Sequence, residues 1–187
     1  MEVKGTSAIN TQAFVRERFG EDGFRRFLGG LSEPALALLG RGEDPRLGLV
    51  PRGAGLLQPR FRVCELFFDG DVKRSAWELG RFSAALTLRG VYRVFLRLGS
   101  PGRMLARATS IFESFYRPGE VRYHPASDKE GTLEFLHIEE RSGLWEYRLG
   151  GFIEGALELA GAKDGRVVVT DTLSEGADAV RIRISWS

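Results

Sequence analysis

The chain has 187 residues, a formal net charge of +2 from 27 basic and 25 acidic side chains, and 43% hydrophobic and 28% charged residues. This composition excludes disorder and a fibrous repeat and suits one globular domain, long enough to bury roughly 70% of the surface its unfolded form exposes without metal or disulfide. Cys64 is the only cysteine, which excludes an internal disulfide, and with only His124 and His137 besides, the usual zinc ligand sets cannot be assembled. The opening Met1-Glu2-Val3-Lys4-Gly5-Thr6-Ser7 lacks a basic segment followed by an apolar run. Nowhere do about 18 apolar residues follow one another. A cytoplasmic protein with no membrane span is expected. The 23 arginines against 4 lysines reflect base composition more than selection, and without a basic cluster of about five residues or more, nucleic acid is not an expected partner.

In the first third, Phe14, Val15 and Phe19 fall at near-helical spacing up to Gly20, and Phe24, Phe27 and Leu28 repeat it before Gly29-Gly30. Two short helices are predicted. Ser32-Glu33-Pro34 opens a third, with Ser32 as cap and proline in the first turn. Between Gly40 and Pro59 the density of Gly, Pro and Arg predicts an irregular loop of unusual length.

An apolar helix is expected over residues 61–68, ended by Asp69-Gly70-Asp71. From Ser75 to Leu98 the residues Leu79, Phe82, Leu86, Val91, Val94, Phe95 and Leu98 approximate a 3.6-residue period. The same helix carries a stripe of small residues, Gly80, Ser83, Ala84 and Thr87. Either a neighbouring helix lies against that stripe or it leaves room for a ligand. Gly90 is a candidate kink. A further amphipathic helix is expected through Met104, Leu105, Ala108, Ile111, Phe112, Phe115 and Tyr116.

The last seventy or so residues predict strand, strand, helix, strand, strand. Val121 and Tyr123 alternate with polar residues before the turn at residues 125–131, and a second strand follows from Leu133 to Ile138. In it Leu133 and Phe135 share one face while Leu136 and Ile138 share the other, implying two buried faces or a bulge, and leaving the side of His137 open. Trp145, Leu149, Phe152, Ile153, Ala156 and Ala160 mark one face of a helix that Gly161 ends. Val167 and Val169, then Val180, Ile182 and Ile184, alternate in the final two strands. The fold class expected is α/β of the α+β kind, with helices packed on one antiparallel four-stranded sheet.

No catalytic constellation emerges. Gly99-Ser100-Pro101-Gly102 lacks the register of a nucleophile elbow, and Asp164 stands where a phosphate loop in residues 155–163 would need Ser or Thr. The acids Glu139, Glu140, Asp171, Glu175 and Asp178 sit where strands point them apart or turns solvate them. Haem ligation by histidine would have to use His137, since His124 beside Pro125 suits a strand end in water. Arg122, Arg181 and Arg183 fit a solvated sheet face with cross-strand ion pairs to acids such as Glu134.

Residues 151–159, 167–173 and 180–184, with Leu79-Gly80-Arg81-Phe82 and residues 89–101 upstream, resemble the four-vinyl reductase domain superfamily, which includes the Bet-type subunits of the TRAPP tethering complex. The openings Val3-Lys4-Gly5-Thr6 and residues 14–20 resemble a paralogous myxobacterial family of unknown function assigned to that fold. The resemblance implies a frequently dimeric protein with an apolar pocket and supplies no reaction. Asp178-Ala179 stands where many relatives have a cysteine, and Ser100 near the position of the acylated cysteine, so neither cysteine function carries over.

One domain over residues 1–187 is expected, with an N-terminal helical extension to about residue 58. Its expected role is a non-enzymatic cytoplasmic regulatory module for a small apolar molecule or a partner protein, without cofactor or metal. The ligand pocket is expected at Phe82, Ala84, Tyr92, Phe112 and Tyr116, with Arg81 or Tyr92 as polar contacts. Gly151 and Gly155 are expected to build a tight interface. The rival expectation is a homodimeric assembly protein whose pocket is filled.

Overall fold

The computed structural model describes residues 2–41, 49–51, 54–89, 101–107, 112, 116–117 and 119–187. Its N-terminal part opens with strand β1 (Glu2–Lys4), helix α1 (Thr6–Leu28), helix α2 (Glu33–Arg41), strand β2 (Leu49–Pro51) and helix α3 (Ala54–Phe67). The two helices expected before Gly29 form one element broken at Gly20, whose φ of 68° and ψ of −174° lie outside helical space. That backbone conformation belongs essentially to glycine, which explains why the helical periodicity stops and restarts there. The expected irregular loop is shorter than its composition suggested: β2 and the start of α3 occupy its second half, with Pro59 inside the helix.

Helix α4 (Val72–Arg89) is followed by α5 (Pro101–Ala106), strand β3 (Tyr116–Arg117), the hairpin β4 (Glu120–Ser127) and β5 (Glu130–Leu136), helix α6 (Leu144–Leu159), strand β6 (Arg166–Asp171), a short 3-10 turn at Leu173–Glu175, and β7 (Val180–Ser185). Val91, Val94, Phe95, Leu98 and the proposed kink at Gly90 lie outside the described residues. Tyr116, expected on a helix, lies on β3 and pairs with Val3 of β1 in a small sheet of order β2-β1-β3.

The second sheet has the order β4-β5-β7-β6, antiparallel throughout. Val180, Ile182 and Ile184 on its inner face are fully buried, as their alternation requires. In β5 only Gly131, Leu133 and Phe135 turn inward. The doubled apolar pattern reflects neither two buried faces nor a bulge in that strand, because β5 ends at Leu136 and His137, at φ 59°, swings the chain away. The bulge falls in β4 instead, between Pro125 and Ser127.

Two apolar cores result. One gathers Phe14, Val15, Phe24, Phe27, Leu39, Val63 and Leu79 between the N-terminal helices and α4. The other joins α4, α5 and α6 to the inner face of the four-stranded sheet. Between them α4 and α6 pack nearly backbone to backbone. A Cβ built on Gly80 would lie 2.0 Å from the Arg148 carbonyl oxygen, and one on Gly151 would lie 2.1 Å from that of Trp77. Gly155 meets Ala84 at 3.0 Å in the same way. The small-residue stripe therefore receives a neighbouring helix.

Candidate functional site

The sheet-side core contains a cluster of aromatic rings. Phe112 and Tyr116 stack with centroids 4.9 Å apart, and the Trp145 ring stands edge-on to Phe112, Tyr116 and Phe135 at 6.1, 5.8 and 5.6 Å. Phe112 also lies 5.3 Å from Phe135. These offset and edge-on arrangements match the quadrupoles of the rings. Gly119 makes room for the cluster, since a Cβ there would fall 2.7 Å from the Phe112 ring.

Polar groups are buried at the edge of this cluster. Arg148, one turn after Trp145 on α6, is 7% exposed. Its Nη2 donates to Ser83 Oγ at 3.0 Å and its Nη1 to the Tyr116 hydroxyl at 3.4 Å. Ser83 in turn donates to the Leu79 carbonyl at 2.7 Å, the usual back-bond of a mid-helix serine. Arg148 Nε and the Trp145 indole N–H have no acceptor among the described residues. Glu146, on the opposite side of α6, is fully buried and accepts the Ser174 amide at 3.2 Å.

Ala84, Phe112 and Tyr116 of the expected pocket thus belong to one core. Phe82 faces the other, 5.3 Å from the Phe14 ring, and Tyr92 lies outside the described residues. Arg81 is no polar anchor for the cluster: it bridges α4 to α6 on the surface, meeting Glu158 at 2.6 Å and Glu154 at 3.2 Å. Gly151 and Gly155 make their close approach within the chain. Leu86, assigned to the apolar face by its spacing, is 42% exposed.

Trp145 and Phe135 were expected on apolar faces but not at the pocket, and Arg148 was not singled out. A usable signal existed: Arg148 follows Trp145 by three residues and precedes Phe152 by four, a charged residue at a core-facing position of the helical period.

On the outer face of the sheet Arg181 makes the cross-strand ion pairs expected there, while Arg122 pairs with Glu120 of its own strand. Arg181 Nη2 meets Glu134 at 2.8 Å, with Asp171 and Asp178 each at 3.6 Å, and His124 lies 3.2 Å from the other Glu134 oxygen. The Arg181 hydrogen bond, aided by His124, holds the Glu134 carboxyl below its ordinary range. A shallow depression lined by Glu130, Arg166, Val168, Arg183 and Ser185 lies on the same sheet. Burial raises the Cys64 thiol above its ordinary value, which suits a core residue better than a reactive thiolate. Among the described residues no group of three or more His, Cys, Asp and Glu side chains could hold a metal, and no helix is long and apolar enough to cross a membrane.

This α+β architecture is shared with solved H-NOX proteins. The Fe(II)NO structure of an H-NOX protein from S. oneidensis superposes with a TM-score of 0.74 at 12% identity, covering 98% of this chain and 99% of that one. The unliganded Fe(II) H-NOX protein from K. algicida gives 0.71 at 12% identity, covering 98% and 96%. An H-NOX structure from work on haem distortion gives 0.65 at 15% identity, covering 98% and 95%. A family model described as protein of unknown function DUF2378 matches residues 78–187, more than half of the chain, and the chain belongs to that family. No curated protein matches. The expected four-vinyl reductase and TRAPP resemblance is overturned by these findings. The residues that suggested it, a small-residue helix and alternating strands, are packing patterns that different α+β folds share.

Proposed function

We propose that the chain is a non-enzymatic sensory module that binds a small apolar ligand at the cluster of Phe112, Tyr116, Phe135 and Trp145. The observation that carries this reading is the conjunction of four interacting aromatic rings with buried donors that have no acceptor among the described residues. Apolar walls with a few convergent polar groups are the usual composition of a small-molecule site. The fold supports the same reading, because the solved H-NOX structures concern iron–nitric oxide ligation and haem.

Histidine-ligated haem does not fit the residues of this chain. His124 stands on β4 with its side chain 56% exposed, and His137 is 70% exposed beside Glu120. Neither side chain is buried, and these are the two histidines of the sequence. The ligand proposed is therefore bound by contact with the aromatic walls, with no iron–imidazole bond. The assembly reading draws no support from Gly151 and Gly155, whose face α4 of the same chain already covers.

Native mass spectrometry of protein purified without detergent tests the proposal. Excess mass of a few hundred daltons per chain, on the order of one ligand of this site class, should be present in the native ion and lost on denaturation. If none is carried, and none is taken up from a panel of apolar small molecules, the reading fails.

A further inference from the structure

Arg148 is a permanent cation in an apolar core, and a guanidinium cannot shed its proton to relieve burial. A charge in such a place needs a counter-charge or a complete set of acceptors. Among the described residues it has neither. Of its five N–H groups, one donates to Ser83 and one to Tyr116, both neutral, and Nε–H has no acceptor. Glu146 does not serve, since two residues along a helix places it on the opposite side and its carboxylate is turned to the Ser174 amide. The contrast with Arg181 is instructive: that far more exposed arginine meets three carboxylates.

We infer that Arg148 anchors the carboxylate of the ligand, which is then an apolar organic acid. The inference rests on the ligand-binding reading above and adds the chemical class. The guanidinium fork matches the two oxygens of a carboxylate, and the Trp145 indole N–H, one turn away on the same face and equally without an acceptor among the described residues, is a further donor. A monoanion balances the single charge, whereas Ser83 and Tyr116 supply no second cation for a dianionic phosphate. The aromatic rings beside it take the apolar body.

The full chain, passed over a hydrophobic resin to remove carried-over lipid, is titrated with dodecanoate and, separately, with dodecanol, followed by calorimetry and tryptophan fluorescence. Dodecanoate should bind at least about tenfold more tightly than the alcohol, the scale of one charge-assisted contact. Arg148→Met should erase that preference by weakening dodecanoate far more than dodecanol, and Arg148→Lys should retain part of it. Equal binding of acid and alcohol to the wild type overturns the carboxylate inference and leaves the apolar site standing. Binding of neither overturns both. A preference that survives in a folded Arg148→Met variant places the anion elsewhere and also overturns it. Should that variant not fold by circular dichroism, Arg148→Lys decides: a ratio of acid to alcohol affinity equal to the wild type's overturns the inference, and a reduced one supports it.

Discussion

Three glycines of this chain are glycines for different reasons, and substitution separates them. At Gly151 a methyl group would sit 2.1 Å from the Trp77 carbonyl oxygen, a backbone atom that cannot step aside. Gly151→Ala should cost about 3 kcal/mol, lowering the melting temperature by roughly 6–12 °C in a calorimetric scan. At Gly40 in α2 nothing lies within 4 Å, so Gly40→Ala should gain about 0.5–1 kcal/mol from helix propensity alone. At Gly20 space is open but φ is positive, and Gly20→Ala should lose roughly 1–3 kcal/mol through backbone strain, read as a lower urea midpoint. Charge supplies another test at this scale. Because the folded carboxyl of Glu134 is held below its unfolded value, its stabilisation is complete above about pH 5 and drains as pH falls through the folded value. The gap in urea midpoint between wild type and Glu134→Gln should be open at neutral pH and close in acid.

Elements were legible where the pattern was strict. The alternation of Val180, Ile182 and Ile184 specified β7 and its buried face, and the Gly161 stop bounded α6 closely. Elsewhere local chemistry was ambiguous. A sequence cannot distinguish a glycine that ends a helix from one that bends it, and so α1 was expected as two pieces. Tyr116 continued an apolar helical spacing, yet its partner Val3 lies more than a hundred residues away in sequence, a pairing invisible to any local window. The candidate site was half legible for the same reason. Phe112 and Tyr116 stood out as aromatics, whereas Phe82 has the same spacing and faces the opposite core. Which core claims a ring depends on the tertiary arrangement around α4, where both layers meet.

At the scale of the whole molecule, fold and ligand chemistry come apart. The chain superposes along 98% of its length on H-NOX structures, yet neither histidine reaches the core. Titration with hemin should therefore give no absorption spectrum of an imidazole-ligated iron, and His124→Ala and His137→Ala should leave whatever weak binding occurs unchanged. An imidazole-ligated spectrum lost in either variant would contradict the geometry described. The strand order β4-β5-β7-β6 bears on how this molecule is made. β7 sits between two strands that precede it in the chain, so the edges of β5 and β6 that face it stay unpaired until residues 180–185 are in place. Until then those edges are free to pair with another copy of the chain. Refolding at high protein concentration should therefore set self-association in competition with insertion of the central strand, and the refolded yield should fall as concentration rises.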